Sequence, residues 1–303
     1  MGAPVVRRAR AFAPCHVTGA FLPRTEARDP RGRGSVGVGL VLDVGVRADA
    51  AWRPAHRPRL SLTADVPGSL DVSGEVARRL LAERPGSLTV RLRHDLPVGQ
   101  GFGTSAAGAL ATGLAVGAAV GVPRRRVVEI AHLADLFGGG GLGGVAAALG
   151  GGLEARVAPG IPPWGRIVRR PVSSALLVAV LGPPIASRTV LGRPQRLTEI
   201  AAAYRPLAGL ARPPSLDEFW SASERFTDRL GWAPAEVRAA LRGIRRRGGR
   251  AAQAMFGRSV FASLPSGPRR AELLGWLARR GVRAVEVGVG RRGAGRRPAT
   301  ARP

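Results

Sequence analysis

No lysine occurs in this chain: all 47 of its basic residues are arginine. That excludes a Walker A loop, whose lysine reaches the transferred phosphates. Cysteine is almost as scarce. The single Cys15 cannot build an internal disulfide framework and fits a reducing, cytoplasmic compartment. Acidic residues number 20, which leaves a net charge of +27. No run is apolar enough to read as a membrane span: the longest uncharged stretch, 97–123, is built largely from glycine, alanine and serine. No secretory leader is apparent, because residues 1–10 are short and basic and residues 11–20 are interrupted by Pro14 and His16. No repeat of fixed period is present.

What the chain does have is enough apolar material to fold. Its 303 residues, 45% of them hydrophobic, suffice for one large or two medium domains with their own cores. The arginine excess has two readings. Arginine pairs bidentately with phosphate, which points to nucleic acid. A coding bias toward G and C would instead raise Arg, Ala, Gly and Pro together, and the even spread of arginine along the chain favours that reading. One continuous basic face would fit nucleic acid; an even scatter would not. The end of the chain, "RRGAGRRPATARP" (291–303), has no acid and no periodicity and reads as a disordered basic tail.

Hydrophobic spacing places the elements. Residues 34–46 read as glycine-rich strand structure. "SLTVRLRHD" (87–95) alternates, with Leu88, Val90 and Leu92 on one face, and reads as a half-buried strand. Helices are expected over about 104–121 and 123–137, the second opened by Pro123. Three prolines and two glycines in 158–165 mark a boundary. Beyond it the pattern predicts strands at 174–182, 257–265 and 282–289. Helices are predicted at 195–204, 215–231, 234–247 and 268–280. Strands mixed with helices in both halves imply two α+β domains.

The stretch "PVGQGFGTSAAGALATG" (97–113) is the informative one. Gly99, Gly101 and Gly103 permit positive φ and close approach of a ligand to the main chain. Thr104 and Ser105 then fall on the first turn of a helix, where free N–H groups and the helix dipole favour phosphate. A serine there can also hold magnesium on the phosphates. The competing reading is a tight turn into a buried helix with no ligand. A Rossmann fingerprint is excluded by context: its strand should be apolar on both faces, and the acid expected about 20 residues on is replaced by Arg124, Arg125 and Arg126.

"PVGQGFGTSAAGAL" resembles the second motif of the GHMP kinase superfamily. Six further segments, in order, resemble its archaeal pantoate kinase branch: "AFAPCHVTGAF" (11–21), "DPRGRGSVGVGL" (29–40), "AHLADL" (131–136), "GLGGVAAALGGGLEARVAPGIPPWG" (141–165), "LGPPIASRTVL" (181–191) and "QAMFGRSVFA" (253–262). The resemblance implies an α+β fold with a ribosomal-protein-S5 domain 2-like N-terminal domain (1–160), a ferredoxin-like C-terminal domain (161–290) and the basic tail. It implies phosphorylation of pantoate, or of another small hydroxy acid or alcohol, with ATP and Mg2+ as cofactors. A homodimer is left open.

Carried over by position, Pro97, Gly99, Gly101, Gly103, Thr104, Ser105, Ala106 and Ala107 would bind ATP. Ser105 and Asp135 would be the catalytic pair and hold the metal. Met255, Phe256 and Gly257 would form the third superfamily motif, with Gly257 near the phosphates. Arg156 would pair with the substrate carboxylate, with His16, Thr18 and Ser35 as further substrate contacts. Each has a structural alternative: Asp135 as a surface i, i+3 partner of His132, His16 as a satisfied structural histidine, Met255 and Phe256 as plain core. Two departures stand out. Gly144 occupies the place of the family's aspartate, the base or orienting group for the substrate hydroxyl, and Cys15 stands where glycine is usual. The departure at Gly144 allows a working kinase of altered chemistry, a weak one, or a non-catalytic nucleotide-binding or nucleic-acid-binding relative. If only the base is missing, Gly144→Asp is expected to raise turnover.

Overall fold

The computed structural model describes residues 6–185, 188–207 and 213–297. In chain order its elements are β1 (Arg7–Arg24), β2 (Gly34–Pro54), β3 (Arg59–Ala64), α1 (Asp71–Glu83), β4 (Gly86–His94), α2 (Thr104–Val120), α3 (Arg124–Phe137), α4 (Gly144–Ala148), β5 (Leu153–Ala158) and β6 (Arg166–Arg170). There follow β7 (Ala175–Val180), α5 (Arg188–Leu191), α6 (Pro194–Tyr204), α7 (Leu216–Leu230), α8 (Ala235–Arg246), β8 (Ala251–Gln253), β9 (Ser259–Ser263), α9 (Pro268–Ala278), β10 (Arg283–Gly288) and β11 (Gly295–Arg297).

Two sheets organise these elements. The first runs β11-β1-β2-β4-β3, and β2 also pairs with β5, which pairs with β6. The long β2 serves two partners in turn: its Gly37–Leu40 stretch lies against β5 and its Val46–Pro54 stretch against β4. The second sheet runs β10-β7-β9-β8. Only β3–β4 is parallel among the described ladders, because α1 provides the crossover that a parallel pair needs.

Burial explains why these segments take these shapes. Leu88, Val90 and Leu92 of β4 alternate inward as their spacing predicts. Helix α2 is buried almost all round, packed on β1 and β2 and flanked by α1 and α3, which suits its alanines and glycines. Strand β7 is apolar on both faces for a different reason. Leu176 and Val178 join the main core with Phe219 and Phe261, while Leu177 and Ala179 pack under α8 and α9 with Ile244 and Trp276.

The structure revises three expectations. The first sheet does not end at residue 160: β6 returns antiparallel to β5, so the proline-rich 158–165 stretch is a loop within that sheet. The passage to the second sheet falls at 171–174. The tail reading of 291–303 is also too broad, because Gly295–Arg297 pairs with the open edge of β1. Three residues are too few to show a period; of the tail, 298–303 lie outside the described residues. Pro123 is the N-cap of α3, one position ahead of the first turn. Strand β1 runs straight through Pro14, where the ladder slips its register and the missing N–H does no harm.

Candidate active site

The loop between β4 and α2 turns on three glycines. Gly99, Gly101 and Gly103 have φ of 76°, 76° and 69°, the left-handed region. At Gly101 the need is also steric, since a Cβ would overlap the carbonyl of Ala254. The loop is tied to the 253–259 turn: Ser259 Oγ donates to the Gln100 carbonyl. The Gln100 amide donates to the Gly182 carbonyl at 2.8 Å, and Ile185 N–H to Gly99 at 2.9 Å.

Gly103 is the N-cap of α2 and offers no side-chain acceptor. The first helical bond is Ala107 N–H to the Gly103 carbonyl, 3.0 Å. The N–H groups of Thr104, Ser105 and Ala106 therefore have no partner within the helix, and they stand at the positive end of α2, where an anion could be received. Ala107 does not belong with them: its N–H is spent and its side chain is fully buried beneath the site. Thr104 is buried as well, its hydroxyl 3.5 Å from the Pro97 carbonyl, which braces the loop. Gly257 lines neither cavity described below; it abuts the backbone of Gln100 behind the loop.

Helix α3 brings Asp135 to the head of α2. Ser105 Oγ donates to Asp135 Oδ1 at 3.3 Å. Asp135 is 2% exposed, and burial pushes its carboxyl up to about 7 against the opposing effect of the Ser105 bond. It is not a surface partner of His132, which is buried too. A half-buried hydroxyl beside a buried carboxylate suits magnesium, which takes one or two protein oxygens and completes its shell with water and phosphate.

The opposite wall comes from β1, β2 and β5. Strand β1 shifts register between Pro14 and His16 and again between Thr18 and Ala20. Such bulges re-aim side chains, and these two bracket His16 and Thr18. Cys15, inside the first of them, is fully buried, and burial pushes its thiol pKa up, so it is no nucleophile.

His16 Nε2 lies 2.8 Å from Glu154 Oε1, and Arg156 Nη1 also donates to that oxygen. All three side chains are buried. Burial lowers the His16 pKa, opposed by the Glu154 hydrogen bond and charge. Burial alone would raise the Glu154 pKa; Arg156 and His16 hold it below the usual carboxylate range. Arg156 Nε and Glu154 Oε2 have no hydrogen-bond partner among the described residues. A buried guanidinium nitrogen left without an acceptor is costly unless something outside the chain supplies one. Glu154 was not foreseen. Its only sequence signal is an acid two residues before Arg156, on the same face of an otherwise apolar strand.

Two cavities meet at the glycine loop. The larger, about 600 Å³, is walled by apolar side chains such as Val66, Val72, Leu96 and Ile185 together with Pro97 and Gly99. The smaller holds His16, Thr18, Ser35, Arg156 and Ala106. Gly101, Gly103 and Ser105 line both, so the loop is a shared wall. Asp135, Met255 and Phe256 line the smaller cavity. Of the residues carried over to the site by resemblance, only Ala107 and Gly257 stand away from both.

Gly144 opens α4 and is not among the positive-φ residues, so its backbone makes no demand for glycine. The demand is steric: a Cβ there would lie 2.6 Å from the Ala106 methyl. The expected gain from Gly144→Asp is therefore withdrawn. The single variant is expected to overpack the site at about 1–3 kcal/mol, melt several degrees lower and turn over no faster. Gly144→Asp with Ala106→Gly restores the room and is the fair test of a carboxylate here. A melting scan and kcat for both variants check this; a single variant as stable as wild type and faster contradicts it.

Unpaired N–H groups at the head of α2, and a cavity that holds Ser105, Asp135 and buried Arg156, share one glycine loop, an arrangement suited to a small-molecule phosphotransferase. The family model for the GHMP kinases N terminal domain matches residues 72–152. A pantoate kinase of Methanospirillum hungatei JF-1 is 31% identical over 263 residues, covering 84% of this chain and 87% of the relative. A pantoate kinase of Thermococcus kodakarensis is 31% identical over 243 residues, covering 75% and 78%. A solved structure described as a phosphotransferase related to the CoA biosynthesis pathway superposes with a TM-score of 0.85 at 25% identity, covering 97% of this chain and all of that one. The chain belongs to the GHMP kinase superfamily and, within it, to the pantoate kinase family.

Proposed function

We propose that this protein transfers the γ-phosphoryl group of ATP to the 4-hydroxyl of pantoate, giving 4-phosphopantoate and ADP on the way to coenzyme A. One observation carries the reading beyond kinship. Buried Arg156, whose Nε has no partner among the described residues, lines the same cavity as Ser105 and Asp135, across the glycine loop from a pocket of about 600 Å³. A carboxylate held at Arg156 and a phosphoryl group held at the head of α2 are two ends of one reaction path.

In this reading the nucleotide occupies the larger pocket, with its phosphates on the free N–H groups of α2. Ser105 and Asp135 would hold magnesium, which neutralises phosphate charge when bound. His16, Thr18 and Ser35 contact the acceptor. Asp135 is the only carboxylate lining the smaller cavity among the described residues. Turnover without a dedicated base falls by about 10²–10⁴-fold relative to a site that has one. Phosphoryl transfer tolerates that loss because it depends chiefly on positioning and charge stabilisation.

Nucleic acid has no part in the reading. Arginine–carboxylate pairs are spread over the molecule, from Arg10–Asp49 on the first sheet to Arg126–Glu83 between helices and Arg250–Glu224 beside the second sheet. No helix among the described residues is long and apolar enough to cross a membrane. A cytoplasmic setting rests on the lone cysteine.

Arg156→Lys tests the acceptor end. It keeps the charge beside Glu154 but loses the planar fork. The KM for pantoate is expected to rise roughly 10–100-fold, in line with about 1.5–3 kcal/mol for a charged hydrogen bond, while the KM for ATP stays near wild type. A change in the ATP constant alone contradicts the assignment. Substrate class is tested by ADP release with pantoate, homoserine, mevalonate and glycerate in parallel; the strongest response is expected with pantoate, and a stronger one with another acceptor replaces it.

A further inference from the structure

We infer that Met255, backed by Phe21, recognises the two methyl groups on C3 of pantoate and so sets the preference for a branched hydroxy acid. This rests on the pantoate reading. The smaller cavity has a charged end at Arg156 and a phosphoryl end at Ser105 and Asp135, and Phe21, Leu191, Met255 and Phe256 add an apolar side. In pantoate the carbon bearing the methyls is bonded directly to the carbon that carries the accepting hydroxyl. The side chain that holds the methyls must therefore stand beside the phosphate loop. Met255 does: its Cβ lies 3.3 Å from the place a Cβ on Gly101 would occupy.

The backbone supports the same assignment. Met255 is the one non-glycine residue with positive φ, 49°, among the described residues. A conformation of this kind persists where the surroundings over-determine it, and such residues cluster at ligand clamps. Here Ala254 N–H donates to the Ser259 carbonyl and Gly257 N–H to the Ala254 carbonyl, at 3.1 and 2.9 Å, and fix the turn that places Met255 in the cavity wall. Phe21 is held rigid by edge-on contacts with Phe226 and Phe256, at 5.8 and 6.0 Å between ring centres. A polarizable, unbranched side chain against a fixed ring suits a bulky apolar centre.

The test compares pantoate with 2,4-dihydroxybutanoate, which keeps the carboxylate and both hydroxyls and lacks only the methyls. Values of kcat/KM are measured for both acids with wild type, Met255→Ala and Phe21→Leu, alongside melting temperatures and the KM for ATP. Wild type is expected to favour pantoate by at least about tenfold, the lower end of what one methylene is worth in an apolar pocket. Met255→Ala is expected to lose most of that preference through pantoate alone. If Met255→Ala does not fold, Phe21→Leu carries the same comparison. A preference that is absent in wild type, or unchanged in folded variants, overturns the inference while leaving the pantoate reading intact. No turnover of either acid by wild type with ATP bound overturns the pantoate reading itself.

Discussion

Gly103→Val is expected to lose ATP binding while the protein stays folded. Gly103 holds φ of 69° as the N-cap of α2, and valine is among the residues least able to adopt that region. The left-handed backbone alone costs an L-residue about 1–2 kcal/mol, roughly a tenfold loss if the loop must relax to relieve it. A Cβ would also lie 3.1 Å from the His16 carbonyl oxygen, so the loop would shift away from β1. Shifting it moves the three free N–H groups proposed to receive the phosphates. The core beneath, from Phe102 to Leu110, does not depend on that geometry and keeps the fold. Calorimetric titration with ATP and a circular dichroism spectrum check this. Wild-type affinity in a folded variant would show that the glycine loop is a turn and not a cradle.

Asp135→Asn is expected to cost the most in activity, on the order of 10²–10⁴-fold in kcat/KM if the carboxylate is the chain's charged hold on the metal. The pH dependence gives a second signature. Burial raises the carboxyl from its ordinary value to about 7, and a magnesium ligand must be deprotonated. Magnesium affinity should therefore rise as pH climbs from about 6 to 8 in wild type and stay flat in Asp135→Asn. Stability without metal runs the other way. A carboxyl whose folded pKa lies above its unfolded value contributes fully below the unfolded pKa of about 4, and that contribution is lost as pH rises through 7. The wild-type melting temperature should accordingly fall relative to the Asn variant between pH 5 and 8. Magnesium titrations with equal midpoints for both proteins would leave Asp135 a structural carboxylate.

The elements with a clean period were legible from the chain alone. Leu88, Val90 and Leu92 announced β4, and the uncharged run after Gly103 announced α2. The glycines at every second position marked a left-handed loop before a helix. Other elements were hidden for physical reasons. Strand β1 carries Pro14 and two register slips, which break the alternation that periodicity relies on. Strand β11 is three residues long and is specified by the free edge of β1, a partner nearly 300 residues away in the chain. The first sheet's extent past residue 160 depends on β6 folding back on β5 across a seven-residue, proline-rich loop, which the prolines alone suggested was a boundary.

The site divides along the same line. Ser105 with Asp135 and His16 with Arg156 were reachable as residue types, but the agent that brings the second pair together, Glu154, is a lone acid in an apolar strand. The crowding at Gly144 came from Ala106, 38 positions earlier in numbering, and no local pattern reports it. The left-handed turn at Met255 is likewise a product of the loop that packs against it.

The most direct measurement follows ATP and pantoate incubated with the protein and magnesium by phosphorus NMR, with the product's phosphoryl position assigned from its carbon couplings. The account predicts ADP in step with a single new phosphomonoester on C4 of pantoate, formed slowly but completely dependent on both substrates. Tight ATP binding with no pantoate-dependent ADP, or phosphorylation at the 2-hydroxyl, would contradict it.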